Sequence, residues 1–195
     1  MHCSTAFALL SRFVSAFASP APSLDQRAAA LTCPMFSIPD ETVSFTLLAV
    51  GQVDNTLRRP LALGTVRGAT VIASADALTE TLATNFTLNN SGLYSDPIGW
   101  QSNAVSPNEL LSFTASTTDA AVPTYCEGFN TSPHGTEFPY TLAVGSDFDD
   151  FALCKASNPG PAVDVIVYAP VEGTTEPYVA STCVLVEVHP VHDCC

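Results

Sequence analysis

The chain is poor in positive charge. Six Lys and Arg stand against 19 Asp and Glu, a formal net charge of −13 at pH 7. Arg58, Arg59, Arg67 and Lys155 cannot assemble a basic patch able to neutralise a phosphate backbone, which argues against nucleic acid as a partner. Lys155 is the single lysine, leaving little scope for Schiff-base chemistry. Long apolar runs are also missing. The longest, residues 6–18, is too short to span a bilayer, and the C-terminal end carries no apolar anchor signal, so no stable membrane insertion is expected. There is no G-x-S-x-G, no H-E-x-x-H, no P-loop and no dinucleotide glycine pattern. The sequence therefore offers no catalytic residue and calls for no cofactor.

Hydrophobic types make up 47% of the 195 residues, enough for one compact domain with a core. The run AFALLSRFVSAFA ends in Ala16-Phe17-Ala18, an A-x-A cleavage site followed by Ser19-Pro20. It reads as a secretory signal peptide over 1–18, although Arg12 interrupts it and no basic residue precedes it. An Ala/Ser/Pro-rich lead-in follows over 19–35, then a β-rich domain over 36–190 and a cysteine-containing tail over 191–195.

Cysteine usage fits export. Of seven cysteines, Cys3 would leave with the signal. Six remain, an even number suited to bridging in an oxidising compartment, with fifteen full pairings open. Cys154 and Cys183 each sit at one end of a strand-like run and are the favoured pair. Their loop of about 29 residues is worth roughly 3 kcal/mol in the chain-entropy model. Cys33 with Cys126 is the second choice. Adjacent Cys194 and Cys195 are poorly placed to bridge each other. Sequons at Asn85 (NFT), Asn89 (NNS) and Asn130 (NTS) predict N-glycosylation, with Asn89 in a turn and Asn130 in a loop.

From residue 43 onward, short β-rich runs alternate with Pro, Gly, Asn and Asp clusters. Strands are expected over Val43–Val50, Leu61–Val66, Ala69–Ala73, Asn85–Leu88, Leu93–Ser95, Leu110–Thr114, Tyr140–Val144, Phe151–Cys154, Val163–Ala169 and Cys183–Val188. In VDVIVYA, Val163, Val165 and Val167 share one face while Ile166 and Tyr168 share the other. FTLNNSGLYS reads as a hairpin with Asn89–Gly92 as its connection. Fifteen prolines argue against long helices. One helical candidate remains, Ser74–Ala83, capped by Ser74. The expected fold is all-β: an antiparallel β-sandwich or barrel-like single domain with at most one short helix.

The order of these motifs resembles small secreted fungal cell-wall proteins of the PhiA-like group. FTLLAV followed by RRPLALG, then FTLNNSGLYS before LLSFT, a late FALC, VDVIVYA and CVLVEV carry the similarity, over roughly residues 36–190. The resemblance implies a secreted, glycosylated, all-β protein of the cell wall or extracellular space. It offers no catalytic residues to carry over. The HPVHDCC end departs from that pattern.

Three clusters invite chemistry. His189, His192 and Asp193, with Cys194 and Cys195, are transition-metal ligand types, but bridged thiols are the expected state in an oxidising compartment, so no metal is assigned. Asp147, Asp149 and Asp150 could offer oxygens to calcium, yet lack the further ligands a calcium loop needs. Trp100, beside Tyr94, could stack on a sugar face or plug the core. His134 reads as a surface-loop histidine. The expected role is non-catalytic, structural or interaction-based, with cell-wall polysaccharide or other surface proteins as partners. The alternatives are a carbohydrate-binding module and a small glycoside hydrolase. The latter needs two carboxylates at a spacing that sequence cannot place.

Overall fold

The computed structural model describes residues 33, 37–38, 40–97, 99–115, 121–132, 137–157, 162–173 and 177–192. The signal and most of the lead-in, His134, Asp193, Cys194 and Cys195 lie outside the described residues. The described chain is all-β. Its strands are β1 (Ser37–Ile38), β2 (Glu41–Gly51), β3 (Arg58–Val66), β4 (Ala69–Ser74), β5 (Thr81–Ala83), β6 (Asn85–Asn89), β7 (Gly92–Asp96) and β8 (Trp100–Ser102). They continue with β9 (Glu109–Leu110), β10 (Ser112–Ala115), β11 (Tyr125–Phe129), β12 (Tyr140–Val144), β13 (Phe151–Ala156), β14 (Asp164–Tyr168) and β15 (Tyr178–His192). A nine-strand antiparallel barrel closes through β4, β10, β8, β7, β6, β2, β15, β13 and β14. Inside that circuit β3 joins β2 to β4, and β5 pairs with β3. A separate sheet, β1–β11–β12, lies against β15.

Period-two alternation builds the barrel wall. In β2, Phe45, Leu47 and Ala49 are buried while Thr46 and Leu48 are only partly covered. They join Leu63, Ile72, Phe86, Leu93, Phe113, Phe151 and Val186 in the main core. Each such side chain contributes about 1.5–3 kcal/mol on leaving water. β4, β13 and β14 are buried on both faces. Ile166 and Tyr168 point into the main core, whereas Val163, Val165 and Val167 pack with Val71, Ala73, Ala152 and Tyr178 in a second cluster. The two faces read from VDVIVYA are the two faces observed, and a strand covered on both sides needs no polar alternation.

The FTLNNSGLYS hairpin forms, with a tighter connection than expected. Asn89 pairs with Gly92, leaving Asn90 (φ 47°) and Ser91 (φ 60°) as a two-residue turn with both residues left-handed. That backbone twist suits a hairpin, but Ser91 adopts it at a steric cost. Its surroundings hold it there: its carbonyl accepts from the backbone N–H of Thr124 and of Tyr125, and its hydroxyl lies 3.1 Å from Cys33 Sγ. Gly92 serves packing instead. A Cβ there would stand 2.5 Å from Ala121 Cβ.

The Ser74–Ala83 helix is not what forms. Ser74 ends β4 opposite Leu61, a single 3₁₀ turn spans Ala75–Ala77, and Thr81–Ala83 is β5. The Ser74 side chain makes no cap hydrogen bond. Sheet pairing by β3 outweighs the local helix preference of ADAL and TETL.

The last strand is also longer than expected. β15 runs through residues read as tail, with Val191 opposite Thr46 and His192 opposite Phe45 on β2. Its first part pairs with β13 across an irregularity. Lys155 faces Val179 and Leu153 faces Val184, so β15 carries extra residues there. Thr182 fills the gap: its hydroxyl accepts from Lys155 N–H at 2.9 Å and donates to Val179 C=O at 2.6 Å. The Cys154–Cys183 disulfide staples the same place, and Cys33–Cys126 joins the lead-in to β11. Both expected pairs are present.

Candidate functional site

The separate sheet covers the outer side of β15 and brings acids and imidazoles together. β15 places Glu187 and His189 two residues apart, hence on one face; both are buried. His189 Nδ1 lies 2.9 Å from the Tyr140 carbonyl. A carbonyl only accepts, so Nδ1 carries the proton and Nε2 is turned to Glu187 Oε2, 3.2 Å away. Ser132 Oγ donates to the same carboxylate oxygen at 3.0 Å and Asn130 Nδ2 at 3.4 Å. Phe138 stacks on the His189 ring at 4.8 Å, and the Arg58 guanidinium lies 5.3 Å over Phe138. Arg58 is in turn held by Glu137 through both guanidinium NH groups, at 2.5 and 2.8 Å; that partner raises its pKa further.

A second acid–imidazole pair uses the other side of β15's end. His192 Nε2 is 3.0 Å from Glu127 Oε1, a carboxylate whose side chain is 1% exposed. The His192 ring also meets Phe45 edge-on at 5.5 Å and Tyr140 at 5.8 Å.

Beside Glu187 opens a cleft of about 330 Å³, lined by Phe129, Asn130, Thr131, Ser132, Thr141, Phe148, Asp149 and Glu187. Phe148 brings an aromatic ring to it, and Asn130, Ser132, Thr141 and Glu187 bring polar groups. Phe148 lies flat on β11 because residue 128 is glycine: a Cβ there would be 2.3 Å from the Phe148 ring. Phe129 is 61% exposed and its ring sits 5.4 Å from that of Tyr140. In this cluster the Ser132 hydroxyl donates to the carboxylate, so Glu187 is a positioned acceptor.

The sequence candidates separate. Trp100 is partly buried against the main core. Tyr94 stands opposite Gln101, the neighbour of Trp100, and therefore on the other face of the sheet; its hydroxyl accepts from Ala121 N–H at 2.8 Å. The two rings do not form one stacking platform. His189 and His192 face different carboxylates and do not converge, and among the described residues no cluster of three or more His, Cys, Asp or Glu is arranged to hold a metal. Asn85 and Asn89 are exposed, whereas Asn130 is half-buried at the cleft.

In the acidic turn, the Tyr168 hydroxyl donates to Asp147 Oδ2 at 3.0 Å. Burial, then this contact with Asp147, pushes the Tyr168 pKa up to about 12. The side-chain hydrogen bond with Asp147, aided by burial and by the charges of Asp147 and Asp149, raises Asp150 above the usual 3.8. An acid raised in the folded state contributes stability that is full below its unfolded pKa and is lost as pH rises through the folded value. Asp150→Asn is therefore expected to be more stable than the parent at pH 7, by about 0.5 kcal/mol for a solvent-screened site. Urea titrations should show the gap closing as pH falls toward about 4.

Phe129, Phe148 and Glu187 escaped the sequence reading. Two signals were there: a glycine between large residues in CEGF, which marks close approach, and the E-x-H spacing on a strand. Searches of family models, curated proteins and solved structures return no match to this chain.

Among the described residues no helix is long and apolar enough to cross a membrane.

Proposed function

We propose that this is a secreted, acidic, glycosylated β-rich protein of the fungal cell wall or extracellular space, with a structural or interaction role and no catalysis. The observation that carries the reading is the pair of disulfides, Cys33–Cys126 and Cys154–Cys183, since such bridges persist in oxidising compartments. The leader-like residues 1–18 and the exposed sequons Asn85 and Asn89 support it, as does the layout shared with PhiA-like proteins. A net charge of −13 keeps such a protein apart from anionic lipid and polyanions.

Peptide mapping of protein recovered from medium and wall fractions tests this reading. The expected product begins after Ala18, carries both bridges and bears glycan at Asn85 and Asn89. A chain that keeps Met1 and free thiols overturns it. The glycoside-hydrolase alternative falls on the acids of the cleft, Asp149 and Glu187; it would require hydrolysis of glucan or chitin that Glu187→Gln abolishes.

A further inference from the structure

We propose that the cleft between β11, β15 and the 145–150 turn binds one or two rings of a neutral wall sugar, a hexose or N-acetylhexosamine. The proposal deepens the interaction role above and rests on it for its biological meaning. A pyranose has apolar C–H faces and a rim of hydroxyls. The cleft offers the matching chemistry: Phe148, which lies over Gly128 on the cleft side of β11, for a ring face, and the Glu187 carboxylate as acceptor for the hydroxyls.

Three observations point the same way. First, Phe148 is only partly buried where it lines the cleft, so part of an apolar ring is left open to a ligand. Second, Glu187 is 7% exposed, with Oε2 fixed by Ser132 and Asn130. A carboxylate already held in place loses little freedom on binding. Third, Gly128 reserves the space in which Phe148 lies, so that wall is set by the backbone. The volume, about 330 Å³, is at the small end of ligand sites, roughly 300–1,000 Å³, which suits a ring or two and not a long chain buried along its length. The acidic surroundings favour an uncharged sugar over a uronate.

The test uses the full chain exported to a bacterial periplasm, where disulfides form and Asn130 stays without glycan. Chitohexaose, laminarihexaose and mannohexaose are titrated by calorimetry. Saturable binding of at least one is expected, weakened about tenfold or more by Phe148→Ala, the loss a central aromatic contact carries, and restored by Phe148→Tyr. Glu187→Gln should weaken it less. An unchanged unfolding midpoint shows that Phe148→Ala still folds; where the midpoint falls, Phe148→Leu, which keeps an apolar cover over Gly128 without a ring, is expected to weaken binding likewise. No heat with any of the three sugars at millimolar concentration, or binding indifferent to loss of the Phe148 ring, overturns the proposal. Neither result touches the export reading, which peptide mapping decides by itself.

Discussion

Replacing Cys33 and Cys126 together by alanine is expected to lower the unfolding free energy by about 4–5 kcal/mol. The bridge spans 93 residues, and in the chain-entropy model the cost of opening a loop grows with the logarithm of its length. It also has local consequences. Cys126 is fully buried on β11, opposite Ala143, and Cys33 sits beside the left-handed Ser91 of the hairpin turn. Losing the bridge frees the lead-in and loosens the contact between the separate sheet and the β6–β7 hairpin. The matched replacement of Cys154 and Cys183, which closes 29 residues, is expected to cost about 1 kcal/mol less on the same model. Urea unfolding of the two double variants without reductant measures the order. If the 154–183 pair proves the costlier, the staple at the β13–β15 irregularity outweighs loop length.

The second large effect falls on the Glu127–His192 pair. His192→Phe keeps a ring against Phe45 and Tyr140 but removes the imidazole that contacts a carboxyl group 1% exposed. Breaking that buried contact is expected to cost about 3 kcal/mol. Adding Glu127→Gln replaces the carboxyl group, and the double variant should recover most of the loss. A double-mutant cycle in urea, with coupling of about 2 kcal/mol or more, is the expected reading. Additive losses would show that the contact carries no energy of its own. Tyr125 presents the opposite case nearby. Its ring is fully buried, its hydroxyl has no hydrogen-bond partner among the described residues, and burial drives its pKa far up. Tyr125→Phe is expected to raise stability by about 1 kcal/mol, because an unsatisfied buried hydroxyl costs more than its removal.

The strands and both bridges were legible because their signals are local. Alternation in FTLLAV and VDVIVYA sets which faces are buried, and Cys154 and Cys183 end runs that the sheet then places side by side. Three features were not local. ADALTETL has helical preference, but Leu61 and Leu63 on β3 recruit its two ends into the sheet. Pro190 and the polar residues around it hide a strand that only β2 makes evident. The cleft draws Phe129 from β11, Phe148 from a turn and Glu187 from β15, and no spacing in one segment encodes that meeting. Trp100 and Tyr94, six positions apart, looked like neighbours until the turn between β7 and β8 set them on opposite faces.

The length of β15 has a mechanical corollary. Traction applied at His192 loads its seven facing positions on β2 and then reaches Cys183, where a covalent link to β13 arrests any further peeling. A wall-bound or cross-linked C-terminal end would thus be moored to a strand that can fray from His192 as far as Cys183 but cannot be drawn out of the barrel while that disulfide is intact.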